Sequence, residues 1–172
     1  RYSNTFYLFK KGWQGTNIDI NQTSIDLFNI ARPNDTNICA AISNTSKEVD
    51  FFEDDILGPV NTIDNKMYEK SKGIFFKKGI VKKVKTFTVF DIISENTLYE
   101  TTDFLNIDAE GSDYQIISQI DLKKSNINLV AIETHDPNGN QLDNFHNISK
   151  YFENNQYFVH KKIGPTTLYT KK

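Results

Sequence analysis

Cysteine is almost absent. A lone Cys39 among 172 residues rules out an internal disulfide and fits a reducing compartment. Charge of one sign is equally scarce. Lys and Arg number 20 against 22 Asp and Glu, a net charge of -2 that provides no basic footprint for nucleic acid. No apolar run approaches the ~20 residues that cross a bilayer. Arg1-Tyr2-Ser3-Asn4 leads into an amphipathic segment instead of the apolar core of a signal peptide. Together these absences point to a cytoplasmic protein that binds neither nucleic acid nor membrane. The chain also has no internal repeat, no low-complexity linker, no short spacing diagnostic of a metal site and no Gly-x-Gly-x-x-Gly. Asn-x-Ser/Thr triplets begin at Asn21, Asn34, Asn44 and Asn147, as chance provides in so Asn-rich a chain.

What is present is a globular composition of one-domain length, 38% hydrophobic and 24% charged, with 13 Phe to fill a core. Residues 3–11 read as a helix capped by Ser3, with Phe6, Leu8 and Phe9 as its stripe and Gly12 at its end. "TNIDI" reads as a strand ending near Asp19. A helix over 24–32 follows, with N-caps available from Asn21 to Thr23 and Pro33 as its stop. "TNICAAIS" and "EVDFF" are further strands, the latter an extension or a hairpin arm. Residues 54–78 carry no clear pattern and read as an irregular surface loop. "IVKKVKTFTV" predicts a strand, with Lys77, Lys78, Lys82, Lys83 and Lys85 as a solvated face. A short helix is expected near Asp91 to Glu95. "DFLNID" is a strand, "SDYQIISQI" a helix, and "INLVAIE" a strand buried on both faces. The helix "QLDNFHNISKYFEN" precedes two strands, "QYFVHKK" and "TTLYTK", which read as an antiparallel hairpin. The alternation predicts an α/β fold with an open, mostly parallel sheet and a C-terminal antiparallel hairpin.

In such sheets ligands bind beyond the carboxyl ends of the strands. Asp19, Asp108 and Glu133 each end a predicted strand, so three acids are expected on one rim. Ser112 to Gln115 matches a capping box, and Asp113 in the first helical turn would oppose the helix dipole. Asp108 and Glu110 have no such local reason. Asp19 lies where nucleotide-binding folds place an acid for ribose hydroxyls. His135 follows Glu133 and can act as a base near neutral pH. Asp108, Glu110, Glu133 and His135 form a donor set suited to Mg²⁺ or Mn²⁺ more than zinc, but without metal-site spacing.

"DFLNIDAEGSDYQIISQI", residues 103–120, resembles the hallmark of the FkbM-type family of S-adenosylmethionine-dependent methyltransferases: Asp-x-Glu-Gly after a strand, then a short apolar helix. "SNTFYLFKKGWQGTNIDIN", "NICAAISN", "VKTFTVFDII", "LVAIETH" and "GPTTLYTKK" resemble other segments of the family in the same order. The resemblance implies a single Rossmann-like methyltransferase domain over 1–172. It also implies a first strand, ending in an acidic, Gly-rich cofactor loop, ahead of Arg1; that strand is missing here, so the chain is expected to be incomplete at its N-terminus. Further implied are Asp19 on the ribose of S-adenosylmethionine, Ala41, Ile42 and Ser43 beside the adenine, and Asp108 near the sulfonium. Glu110, Glu133 and His135 would face the acceptor, with His135 the first candidate for a base and Glu110 the second. The implied activity is O-methylation of a hydroxyl on a sugar or other small molecule. The alternatives are a nicotinamide-dependent oxidoreductase and a non-catalytic α/β domain that binds a protein partner or a glycan.

Overall fold

Arg32 organises the N-terminal segment. The first helix, α1 (Phe6–Lys10), is shorter than the predicted 3–11 and is entered through Thr5, whose side chain makes no capping bond. Ser3 and Thr5 instead accept from the two terminal nitrogens of Arg32, at 2.9 and 2.8 Å. The Arg32 guanidinium also lies over the rings of Phe9 and Phe28, 5.1 and 5.0 Å from their centroids. It is 5% exposed and sits 3.9 Å from Asp35. A planar cation can stack on rings and fork its donors at once, which an aliphatic side chain cannot. Arg32→Met should therefore cost about 2–3 kcal/mol through lost charge-assisted bonds and cation–π contact. Urea unfolding monitored by circular dichroism checks this.

The structure, a computed structural model, describes residues 3–54, 61–74 and 79–171. They fall into two compact units, Arg1–Ile42 with Ser46–Thr86, and Ser43–Thr45 with Phe87–Lys172.

In the first unit β1 (Thr16–Asp19) leads into α2 (Gln22–Ala31), where Asn21 accepts from the backbone of Thr23 and Ser24, as its type predicts. β2 (Thr36–Cys39) then returns parallel to β1, from Thr16↔Thr36 to Asp19↔Cys39. The predicted strand "TNICAAIS" is divided. Its ladder to β1 closes with the Ala40 amide on the Asp19 carbonyl, and the chain passes at β3 (Ala41–Ile42) into a different sheet. That sheet has the order β3-β5-β4, formed with β4 (Glu48–Glu53) and β5 (Ile80–Phe87). β4 and β5 are antiparallel, so "EVDFF" is a hairpin arm. Opposite charges face across it: Lys83 bonds Asp50 at 2.7 Å and Lys82 pairs with Glu53. Lys77 and Lys78 lie outside the described residues. The expectation of an irregular loop over 54–78 is corrected in its middle. There α3 (Asn65–Ser71) forms because Asp64 caps the Met67 amide and Tyr68 stacks on Phe52, ring centroids 4.0 Å apart. Residues 55–60 and 75–78 of that range lie outside the described residues.

The second unit begins with two short helices, α4 (Val89–Ile92) and α5 (Glu95–Glu100), where one was predicted. Thr88 and Asp91 form a reciprocal capping box on α4. The chain continues through β6 (Phe104–Ile107), α6 (Asp113–Ile117), β7 (Leu129–Glu133), α7 (Phe145–Asn154), β8 (Tyr157–Ile163) and β9 (Thr166–Lys171). The sheet order is β6-β7-β9-β8. β6 and β7 are parallel, while β9 is antiparallel to both β7 and β8. The C-terminal hairpin is therefore present as read. The mostly parallel character is not, because the pairs β4–β5, β7–β9 and β8–β9 are antiparallel and only β1–β2 and β6–β7 are parallel among these. The architecture is mixed α/β with several small sheets. Val130, Ala131 and Ile132 are buried, as their continuous apolar run requires. Phe152 of α7, fully buried, stacks on Tyr169 of β9 with centroids 3.9 Å apart. Among the described residues no helix is long and apolar enough to cross a membrane.

Candidate active site

β6 and β7 run side by side in the same direction, with Leu105 opposite Val130 and Ile107 opposite Ile132. Asp108 follows the end of β6 and Glu133 ends β7, near enough for Asp108 to act electrostatically on Glu133. β9 arrives from the other side with Thr166 paired to Glu133. The Pro165 carbonyl accepts the amides of both Thr134 and His135, which ties the end of β7 to the start of β9. Two acids predicted at strand ends thus lie at the same end of the parallel pair β6–β7.

The loop after β6 wraps around a third acid. The Asp113 carboxylate accepts from the Ala109 amide at 3.1 Å and the Gly111 amide at 3.2 Å. This corrects the expected capping box. Ser112 makes no side-chain capping bond, and Gln115 instead accepts the Ser43 hydroxyl at 3.2 Å. The reason is the tightness of the turn. Glu110 has φ 48° and Gly111 φ 99°, a left-handed turn that folds back so that the Ala109 and Gly111 amides both reach Asp113. Glu110 in the left-handed region costs about 1–2 kcal/mol, and strain of this kind concentrates at functional sites.

Asp113 is fully buried, and burial pushes its carboxyl up to about 6 despite the amides that favour its charge. Glu133 is half-buried. Burial first, and then the neighbouring Asp108 and Asp113, raise it to about 8. Glu133 accordingly holds a proton at neutral pH and gives it up in the range where hydroxyl chemistry needs a base. Asp108 is exposed and Glu110 half-buried.

His135 is 8% exposed. Its ring packs edge-on to Phe145 at 5.3 Å, and its Nδ1 lies 2.8 Å from the Thr134 hydroxyl. Burial, together with the nearby Lys162, lowers its pKa against the opposing effect of Asp136, and this net shift favours the neutral ring. The Thr134 hydroxyl is in turn 2.6 Å from that of Thr167. Sequence reasoning missed both threonines, which look like ordinary strand residues, and it read Asp113 as a helix cap. The acid directly after a Gly-Ser turn was the available signal.

The remaining predicted site residues are distributed by unit. Asp19 ends β1 in the first unit, and its Oδ1 accepts the Asn21 amide at 2.8 Å. Its Oδ2 has no partner among the described residues, so it retains acceptor capacity for a diol. Ala41 and Ile42 form β3, also in the first unit. Ser43 belongs to the second, where its amide donates to the Phe87 carbonyl and its carbonyl accepts from Gln119 at 3.1 Å. Among the described residues no group of three or more His, Cys, Asp or Glu is arranged to hold a metal ion.

No curated protein and no solved structure matches the chain significantly. The methyltransferase FkbM domain family matches residues 1–159, which include β1 with Asp19, the Asp108–Gly111 turn and β7 with Glu133. The chain belongs to the FkbM methyltransferase domain family.

Proposed function

We propose that the protein is an S-adenosylmethionine-dependent O-methyltransferase acting on a hydroxyl of a sugar or other small molecule. When bound, the cofactor supplies an electrophilic methyl group on a sulfonium. Each unit, taken by itself, carries residues suited to part of such a ligand. Asp19, with one carboxylate oxygen held by the backbone and the other unpartnered among the described residues, suits ribose hydroxyls. Ala41, Ile42 and Ser43 would flank the adenine. Asp108, an exposed carboxylate at a strand end, suits a cationic centre electrostatically.

The observation that carries the reading is the raised carboxyl of Glu133 beside Asp108 at the paired ends of β6 and β7. Once ionised, Glu133 accepts the proton of the acceptor hydroxyl. Glu110 and His135 hold the acceptor against it, so that most of the rate comes from placement. His135 and Glu110 were the first expectations for the base; the poise of Glu133 favours it for that role.

The test is thermal. S-adenosylhomocysteine at about 100 times its dissociation constant should stabilise the protein by about 2.7 kcal/mol, while NAD should not. Asp19→Ala should weaken that binding about 10- to 100-fold and leave the circular dichroism spectrum unchanged. Stabilisation by NAD alone would indicate an oxidoreductase. Response to neither ligand would indicate a binding domain without this chemistry.

A further inference from the structure

The hydroxyl protons around His135 can be counted. Thr134 is completely buried and Thr167 is 3% exposed. Among the described residues the Thr167 hydroxyl has one side-chain partner, Thr134 Oγ1 at 2.6 Å. The Thr134 hydroxyl has two, Thr167 and His135 Nδ1 at 2.8 Å. A buried hydroxyl whose proton finds no acceptor is strongly disfavoured. Thr167 therefore donates to Thr134, its one side-chain acceptor among the described residues. Thr134 then directs its own single proton to His135, and Nδ1 accepts it. A neutral imidazole that accepts at Nδ1 carries its hydrogen on Nε2. The reverse order, with Nδ1–H donating to Thr134, would leave one of the two buried hydroxyl protons without an acceptor.

Nε2 has no partner among the described residues. Nor is it one of the buried side-chain atoms that lack a hydrogen bond among the described residues, so it reaches the surface. The charged groups that act on the ring are Lys162, which opposes a positive imidazole, and Asp136, which favours one. The Asp136 carboxylate is already engaged by the amide and side chain of Asn140, at 2.8 and 2.9 Å.

We propose that the Thr167–Thr134 hydroxyl pair holds His135 as its Nε2–H tautomer, so that His135 donates a hydrogen bond to an oxygen of the bound acceptor and leaves the proton-accepting role to Glu133. The identity of that oxygen rests on the methyl-transfer reading; the tautomer does not. Thr134 and Thr167 are positioning residues, acting through the imidazole. Their role explains why Thr134, just past β7, and Thr167, on β9, bury hydroxyls against each other 33 residues apart.

The experiment is long-range proton–nitrogen correlation on the free, ¹⁵N-labelled protein between pH 5 and 9, with no ligand added. The wild type should show a protonated Nε2 and an unprotonated, hydrogen-bonded Nδ1 for His135, with a midpoint below that of an ordinary histidine. Thr134→Val should reduce the preference for that tautomer about five- to tenfold, the loss expected for one hydrogen bond. Thr134→Ser, which keeps the hydroxyl, should restore it. A wild-type spectrum with the proton on Nδ1 overturns the proposal whatever the variants do, and so does an unchanged tautomer in a folded Thr134→Val protein. Because no cofactor or acceptor is present, a failure here is separate from failure of S-adenosylhomocysteine to bind.

Discussion

At pH 9 the Glu133→Gln variant should melt about 4–8 °C above the wild type, and at pH 4.5 the two should melt together. A carboxyl raised from its usual range to about 8 keeps its proton in the folded state while the unfolded chain has already lost it. Between about pH 4.5 and 8 the native protein therefore binds more protons than the unfolded one, and stability falls as pH rises through that window. A carboxyl moved from 4.5 to about 8 sets a ceiling of about 5 kcal/mol on that loss. Glu133 is only half-buried, so solvent screening reduces this to about 2 kcal/mol. At this chain length that is about 4–8 °C in melting temperature. Asp113, raised to about 6, contributes with the same sign between about pH 4 and 6 and remains in the variant.

The glutamine side chain keeps the shape of Glu133 and removes its titration. The same substitution removes the proposed proton acceptor. Methyl transfer, which in the wild type should climb with pH through about 8, should drop about 10²- to 10⁴-fold. Calorimetric scans of the two proteins at several pH values decide the matter. Parallel melting curves across the range would show that Glu133 is an ordinary exposed carboxylate.

Phe152→Ala should lower stability by about 3–5 kcal/mol, an effect comparable with the whole stability of a marginal domain. The ring is fully buried and stacks on Tyr169 at 3.9 Å with planes 7° apart; Tyr151 and Tyr157 meet it at 5.8 and 5.9 Å. Removing it loses both the burial and the ring pairing, the latter worth about 0.5–1.5 kcal/mol. The consequence extends to the site. Tyr169 pairs with Val130 on the same β9–β7 ladder that sets Thr166 against Glu133 and Thr167 against Ile132. A loosened ladder should therefore broaden the His135 imidazole signals as well as lower the urea midpoint. Phe158, 43% exposed on β8, is the control, and Phe158→Ala should stay within about 0.5 kcal/mol. Equal losses from the two substitutions would contradict the described core.

The elements and the acids at their ends were legible in the residues. Asn21 caps α2, the apolar run 129–133 is a buried strand, and Asp19, Asp108 and Glu133 close β1, the turn after β6, and β7. Each of these depends on a few neighbouring residues, through side-chain period, cap chemistry or the steric freedom of a glycine. What tertiary structure alone decided depends on residues far apart in the chain. Ala41–Ile42 leaves β2 for another sheet because β5 arrives to pair there. The reciprocal arm of the expected capping box is absent because Gln115 accepts from Ser43, 72 positions away. Glu133 keeps its proton because tertiary packing takes it out of water and, second, brings Asp108 and Asp113 near, and Thr134 aims its hydroxyl at His135 because Thr167 comes in on β9. Local sequence specifies backbone conformation; desolvation, charge proximity and proton placement exist only once the chain has brought distant groups together.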